Sequence, residues 1–118
     1  MIPKTIIQTY YTNEIPKEIR LATESWQLLN PEYKYLFFDD EMCANFISDN
    51  FNKDVLKSFN SLIPGAFKAD LFRYCFLYIN GGVYVDIDNV CLTPLDNFIN
   101  KEDTFVSVKD NSLGISFV

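Results

Sequence analysis

The most informative stretch of the sequence is Gly81-Gly82-Val83-Tyr84-Val85-Asp86-Ile87-Asp88. Glycines that can end a helix are followed by β-branched and aromatic residues, and this pattern predicts a strand over 83–88. Because side chains alternate between the two faces of a strand, the three aliphatic residues are expected on one face. Tyr84, Asp86 and Asp88 are then expected together on the other face.

The two aspartates of this stretch have the spacing of a cation site. By the rise of a strand, the Cα atoms of Asp86 and Asp88 are expected about 6.6 Å apart, which is close enough to share one cation. Two half-buried carboxylates repel each other, and a divalent cation removes that cost. Oxygen ligands favour Mg²⁺ or Mn²⁺, with substrate phosphates completing the shell. An Asp-x-Asp spacing also occurs as two ordinary surface acids, so it leaves both interpretations open.

A second pair of charged residues lies upstream, at Asp70 and Arg73. The surrounding residues 66–79 are mostly apolar, which predicts a buried helix, and residues three apart are neighbours on one helix face. Buried charges are either paired or serve a ligand, so an ion pair and a binding role both stay open. In the binding role, Arg73 would donate to phosphate or ribose oxygens and Asp70 would accept from sugar hydroxyls.

The rest of the chain alternates between strand-like and helix-like segments. Runs of β-branched and aromatic residues predict further strands at 5–10, 33–38 and 104–108. Apolar residues at helical spacing predict helices at 16–29, around 44–47 and around 55–59, with a helix start at Asp39-Asp40-Glu41. Breaks are expected at Pro64-Gly65 and Thr93-Pro94. The alternation predicts an α/β domain with a largely parallel sheet and flanking helices.

The composition indicates one packed domain that spans residues 1–118. Hydrophobic residues make up 48% of the chain, which is too many for a disordered protein. The formal net charge is -6, so broad electrostatic attraction to nucleic acid or anionic membranes is not expected. A phosphorylated ligand would need a cation or a few basic groups beside it.

The chain contains no histidine, which excludes a Ser-His nucleophile and the commonest zinc ligand. Its three cysteines, Cys43, Cys75 and Cys91, form no C-x-x-C motif, so neither a zinc ribbon nor a redox motif is predicted. Three buried free thiols are expected instead.

Neither a signal peptide nor a membrane span is expected from the residues of this sequence. Met1-Ile2-Pro3-Lys4 lacks the apolar core of a signal peptide. The longest wholly apolar stretch, 74–79, is too short to cross a bilayer. If Met1 is the natural N-terminus, a cytoplasmic protein is expected.

Five segments of the chain match one family pattern: Ile2-Pro3-Lys4-Thr5-Ile6-Ile7-Gln8-Thr9-Tyr10, Pro64-Gly65-Ala66-Phe67-Lys68-Ala69-Asp70-Leu71-Phe72-Arg73-Tyr74, Leu77-Tyr78, the Gly81 to Asp88 stretch, and Pro94-Leu95. Together they resemble the DXD sugar-binding region of glycosyltransferase family 32, which includes initiating α-mannosyltransferases and sphingolipid glycosyltransferases. The region is also similar to the glucosylating bacterial toxins. Ile7 stands where the family commonly has His.

The resemblance implies a Rossmann-like GT-A fold, whose first strand and DXD strand flank a nucleotide-sugar donor. By this analogy Asp86 and Asp88 are the catalytic and metal-binding residues, which contact a Mn²⁺ or Mg²⁺ ion, the diphosphate and the ribose. Asp70 and Arg73 hold the sugar, and Tyr84 lines the pocket.

Tyr10 occupies a position that is usually aromatic in the family, and the resemblance implies that it stacks on the nucleotide base. A strand tyrosine with no ligand contact is the alternative. The implied reaction transfers a sugar from a UDP- or GDP-sugar to a hydroxyl of a glycan, lipid or protein acceptor, with retention of the anomeric configuration.

The chain stops at Val118, where the family continues with acceptor-side contacts, so we expect the N-terminal part of a larger catalytic domain. Two alternatives stay open. One is a non-catalytic nucleotide-sugar-binding fragment. The other is a haloacid-dehalogenase-like phosphatase, whose first Asp of Asp-x-Asp-x-Val is the nucleophile. An EF-hand is excluded, because Cys91 and Asn97 occupy the positions that require Gly and Glu.

Overall fold

The computed structural model describes residues 1–61, 65–104, 106–107 and 115–117 of the chain. These residues form four α-helices and five short strands, with three helices in succession between the second and third strands. The strands are β1 Thr5–Thr9, β2 Lys34–Phe38, β3 Val83–Val85, β4 Val106–Ser107 and β5 Ile115–Phe117. The helices are α1 Lys17–Leu29, α2 Asp40–Asn50, α3 Lys53–Ser61 and α4 Gly65–Asn80.

The strands form one sheet in the order β2-β1-β3-β5-β4. β1 pairs in parallel with β2 on one side and with β3 on the other, so that Ile7 lies between Leu36 and Tyr84. β5 runs antiparallel to β3 and to β4, and the other strands of the described sheet therefore share one direction. This largely parallel sheet with flanking helices confirms the predicted α/β architecture.

Apolar side chains pack on both faces of the sheet, as the alternation along β1 requires. Ile6 belongs to a core on one face, together with Trp26 of α1 and Val83 of β3. Ile7 belongs to a core on the other face, together with Phe72 of α4 and residues of α2 and α3. The fold is therefore a three-layer sandwich, with α1 on one face and the other three helices on the opposite face.

The helix boundaries follow local sequence signals. α1 begins at Lys17 with Pro16 at its N-cap, one position later than predicted. Asp39 is the N-cap of α2, because its carboxylate accepts a hydrogen bond from the Met42 amide at 2.9 Å. Residue 64 of the predicted Pro64-Gly65 break lies outside the described residues. The turn predicted at Thr93-Pro94 leads into a 3-10 turn over Leu95–Asn97.

The strand predicted over 83–88 is too long. β3 ends at Val85, and the Asn89 amide donates to the Asp86 carbonyl at 3.1 Å, which closes a tight turn. Strand alternation therefore does not determine the direction of the Asp88 side chain. The strand predicted over 104–108 is observed at Val106–Ser107, and residues 105 and 108 lie outside the described part.

The three cysteines are buried and none forms a disulfide bond, which confirms the expectation of three buried free thiols. Burial raises the pKa of each thiol, so all three are neutral at physiological pH and poor nucleophiles. Within the described ranges, no helix combines the length and the apolar character that a membrane span requires.

Candidate functional site

A cavity of about 490 Å³ opens where the parallel strands end. Its lining includes Thr9 at the end of β1, Asp40 after β2 and Asp86 after β3. β2 and β3 lie on opposite sides of β1, so the strand order reverses at this point of the sheet. Ligands of open α/β sheets bind at such switch points, and the volume suits a small organic ligand. This cavity is the candidate site.

The structure brings the predicted site residues together. Those that line the cavity are Tyr10, Asp70, Tyr84, Asp86 and Asp88. The remaining one, Arg73, lies behind the lining and contacts Asp70. The binding role of each residue stays a prediction.

Tyr84 forms a rigid part of the cavity wall. Its side chain is 3% exposed, and its hydroxyl lies 2.9 Å from the Thr9 Oγ1 atom, so its polar end has a partner. Burial, the largest cause, raises the pKa of Tyr84 to about 12. The phenol is therefore neutral at any working pH and is not a base.

Arg73 connects α4 with the end of β3. Its Nη2 atom lies 3.3 Å from Asp70 Oδ1, so the i,i+3 ion pair considered for these residues is present. The guanidinium also lies over the ring of Tyr84, 5.5 Å from its centroid. Its charge also reaches the Asp86 carboxylate, where it opposes the rise in pKa that desolvation causes. Arg73 is therefore paired with Asp70 and also lies close to Asp86.

Asp86 lies in an electrostatically unfavourable place for an anion. Although the residue is exposed, the surrounding protein partly desolvates its carboxylate, and this is the main cause that raises its pKa. Arg73 opposes the shift, and the charges of Asp88 and Asp70 add to it. Among the described residues, no ion pair involves Asp86 or Asp88. Within this part of the chain, no paired basic side chain therefore relieves the repulsion between the two carboxylates.

The chemistry of these ligands fits a hard divalent cation. Two carboxylates face one cavity, and carboxylate oxygen is the donor that Mg²⁺ and Mn²⁺ prefer. The described residues hold no group of three or more His, Cys, Asp or Glu side chains that could form a complete metal cage. A cation bound through Asp86 and Asp88 would therefore take its other ligands from phosphate oxygens and water, which is the usual arrangement for Mg²⁺.

Hydrogen bonds join the segment after β3 to the end of α1, the helix on the face of the sheet opposite α4. The indole nitrogen of Trp26 donates to the Asn89 carbonyl at 2.8 Å, and the Leu95 amide donates to Asn30 Oδ1 at 2.7 Å. Sequence analysis missed these contacts, which join positions 63 and 65 residues apart. The available signal was chemical: a buried tryptophan N–H requires an acceptor.

Sequence analysis also missed an ion pair in the cavity lining. The Nζ atom of Lys68 lies 3.8 Å from Asp40 Oδ2 and 5.4 Å from the centroid of the Phe59 ring. Asp40 follows β2 and Asp86 follows β3, so this pair lies across β1 from the two aspartates. Asp40 was interpreted only as a helix start, because nothing in its neighbourhood along the chain indicates Lys68.

Residues 16–106 match the family described as the glycosyltransferase sugar-binding region containing a DXD motif. The chain belongs to this family. In this DXD glycosyltransferase region, the matched residues include Asp70, Arg73, Tyr84 and both aspartates of the motif, whereas Tyr10 precedes them.

Relatives with named activities share most of this chain. The initiation-specific alpha-1,6-mannosyltransferase of Candida albicans is 34% identical over 116 residues, which cover 93% of this chain and 30% of that protein. Inositol phosphoceramide mannosyltransferase 2 of Schizosaccharomyces pombe is 39% identical over 99 residues, which cover 84% of this chain and 28% of that protein. The DXD region described here thus spans less than a third of the length of these two relatives.

The fold is also that of a solved glycosyltransferase. The PaToxG glycosyltransferase superimposes with a TM-score of 0.57 at 19% sequence identity, over 80% of this chain and 45% of that structure. At this identity the likeness concerns the fold alone, and it confirms the predicted glycosyltransferase fold.

Proposed function

We propose that this chain is the donor-binding part of a metal-dependent glycosyltransferase. In this proposal, Asp86 and Asp88 hold a Mn²⁺ or Mg²⁺ ion against the diphosphate of a nucleotide sugar. One observation carries it: two carboxylates line a cavity at the switch point of the sheet, and no ion pair among the described residues neutralises either of them. A divalent cation and a diphosphate supply that neutralisation.

The remaining predicted site residues suit the other parts of such a donor. Asp70 and Arg73 are assigned to the hydroxyls of the sugar, because the pair offers an acceptor and a donor beside the aspartates. Tyr10 is assigned to the base: its ring lies 4.7 Å from that of Tyr11, and both tyrosines line the cavity. Aromatic rings of this kind can stack on any nucleotide base.

The proposed reaction breaks the bond between the anomeric carbon and a diphosphate oxygen, and forms a bond from that carbon to an acceptor hydroxyl oxygen. The bonding electron pair leaves with the diphosphate, which takes up the proton that the hydroxyl loses. A bound divalent cation would neutralise negative charge on the departing diphosphate. The residues of this chain bind and orient the donor, and the chain contains no histidine, the commonest general base near pH 7. Transfer with retention, which needs no strong base from the protein, agrees with this composition.

The relatives indicate which donors to test first. Both proteins compared above are named mannosyltransferases, so a mannose nucleotide is the leading donor, ahead of glucose and galactose nucleotides. The same matches favour sugar transfer over the phosphatase alternative. The acceptor stays open.

A thermal-shift screen tests the proposal. The purified chain is heated with GDP-mannose, UDP-glucose or UDP-galactose, each with and without Mn²⁺. We expect at least one nucleotide sugar to raise the melting temperature only when Mn²⁺ is present, since a ligand at 100 times its dissociation constant stabilises a protein by about 2.7 kcal/mol. No shift with any of them would contradict the proposal. A shift with beryllium fluoride plus Mg²⁺ alone would instead support the phosphatase alternative.

A hydrolysis assay then separates an enzyme from a binding fragment. The nucleotide sugar that stabilises the chain is incubated with it, and released free sugar is measured. Release above the rate without protein identifies catalysis, and binding without release identifies the non-catalytic alternative.

A further inference from the structure

Gln8 is a completely buried polar residue directly beneath the proposed metal site. It lies in β1, and its side chain is 0% exposed. Burying an amide without hydrogen bonds is costly, so a buried glutamine has partners on both of its polar atoms or destabilises the fold. Gln8 has both: Tyr35 donates its hydroxyl to Oε1 at 2.8 Å, and Nε2 donates to the Asp86 carbonyl at 3.1 Å.

The Asp86 carbonyl is the point at which two elements meet. It accepts from Gln8 and, at 3.1 Å, from the Asn89 amide that closes the turn after β3. Two donors on one carbonyl oxygen fix the plane of the peptide bond that follows Asp86. This peptide connects Asp86 to the turn that carries Asp88, so its orientation sets where the two carboxylates can point.

The orientation of the Gln8 amide, which donates to the Asp86 carbonyl, is fixed by its other partner. The Tyr35 hydroxyl holds the oxygen end of the amide, which leaves the nitrogen end facing Asp86. Tyr35 belongs to β2 and Gln8 to β1, and both strands are paired over their full length. The donor is thus presented to the end of β3 from two rigid neighbouring strands rather than from a flexible loop.

We infer that Gln8 is a positioning residue for the DXD motif, which fixes the backbone of Asp86 so that both carboxylates meet one divalent cation. The expected effect on metal binding rests on the proposed function. The effect of Gln8 on the Asp86 backbone concerns the metal-free protein and can be tested separately. Groups that orient metal ligands typically change metal affinity by about 10- to 100-fold when they are replaced.

The test replaces Gln8 by methionine, which has a similar length and no hydrogen-bonding amide. Mn²⁺ is titrated by calorimetry into the protein in the presence of excess GDP and, separately, excess UDP. We expect the dissociation constant for Mn²⁺ to rise about 10- to 100-fold in Gln8→Met. In the metal-free protein, we expect the Asn89 amide to exchange with solvent faster than in the wild type, as measured by NMR.

Asn30→Leu is the matched control. Asn30 is also a buried amide bonded to the segment after β3, but its partners are the Leu95 amide, the Trp26 carbonyl and Cys91 Sγ rather than Asp86. If Mn²⁺ affinity fell only because the protein became less stable, it would fall in both variants. Our inference expects weaker Mn²⁺ binding and faster Asn89 exchange in Gln8→Met, and neither change in Asn30→Leu.

Tyr35→Phe is the second variant if Gln8→Met does not fold. It retains Gln8 and removes only the hydroxyl that holds Oε1, so faster Asn89 exchange is expected, with a smaller loss of Mn²⁺ affinity. Asn89 exchange at the wild-type rate in the folded variant would overturn the inference, as would equal losses of Mn²⁺ affinity in Gln8→Met and Asn30→Leu. A wild-type protein that binds no Mn²⁺ with either nucleotide would overturn the proposed function, while the exchange measurement would still decide the role of Gln8.

Discussion

Among single residues, Asp86 shows how a binding site can oppose stability. Its pKa is raised from the ordinary aspartate value of 3.8, chiefly because the protein desolvates its carboxylate. A carboxyl group with a raised folded-state pKa stabilises the fold below the unfolded value, and this contribution is lost as the pH rises through the folded pKa. At neutral pH, the ionised group therefore destabilises the metal-free fold.

Replacing this carboxylate should make the metal-free protein more stable at neutral pH. We expect metal-free Asp86→Asn to melt at a higher temperature than the wild type at pH 7, with the difference shrinking as the pH falls toward 3.8. Differential scanning calorimetry over that range measures it. Asp49→Asn, at an exposed position of α2, removes the same charge elsewhere. A lower melting temperature for Asp86→Asn than for Asp49→Asn at pH 7 would contradict this reasoning.

At the scale of elements, the connection from α4 to β3 depends on two glycines with positive φ. Gly81, at φ 68°, ends the helix with a hydrogen bond from its amide to the Leu77 carbonyl at 2.9 Å. Gly82, at φ 121°, lies against β1, and an added Cβ atom would lie 2.9 Å from the Thr5 carbonyl oxygen and from Ile7 Cδ1. A backbone oxygen in a paired strand cannot move away, so this position requires glycine.

Gly82→Ala should therefore be more harmful than Gly81→Ala. We expect Gly81→Ala to cost about 1 kcal/mol, the usual cost of a left-handed alanine, and Gly82→Ala to cost more because steric overlap with β1 is added. Urea denaturation followed by circular dichroism compares the two free energies of unfolding. Equal losses would show that the contact with Thr5 is relieved easily and would contradict the close approach of β3 to β1.

The elements themselves were largely predictable from the sequence. The four helices and the first three strands follow from apolar spacing, caps and β-branched runs, which are local signals. The end of β3 was not predictable, because Val85, Asp86 and Ile87 continue the alternating pattern while a hydrogen bond from the Asn89 amide turns the chain. The alternating pattern assigned both aspartates to the strand, whereas β3 ends before either of them and both line the cavity beside its end.

The candidate site was predictable only in part. Asp70, Tyr84, Asp86 and Asp88 lie in motifs close in sequence, so the pattern could bring them together. The bonds that support them could not be foreseen: Gln8 and Asp86 are 78 residues apart, and their contact depends on the placement of β1 beside β3. Contacts of this kind come from the topology of the sheet, which local patterns do not encode.

At the scale of the whole molecule, the negative net charge means that an anionic ligand at the site requires a cation. The chain carries a formal net charge of -6, and four aspartates are among the described residues that line the cavity: Asp40, Asp70, Asp86 and Asp88. A nucleotide diphosphate is itself an anion, so without a cation it meets repulsion from Asp86, Asp88 and Asp70. Arg73 is paired with Asp70 and Lys68 with Asp40, so in the proposed function the divalent ion is the main source of positive charge for the diphosphate among the groups described.

The most direct measurement is calorimetric titration of the nucleotide sugar selected by the thermal-shift screen, with and without Mn²⁺. It compares the wild type with Asp86→Asn, Asp88→Asn and the exposed control Asp49→Asn. We predict binding by the wild type and the control only when Mn²⁺ is present, and no Mn²⁺-dependent binding by the other two variants, although both retain the folded circular dichroism spectrum. Unchanged affinity in Asp86→Asn or Asp88→Asn, or equal wild-type binding without Mn²⁺, would contradict the account.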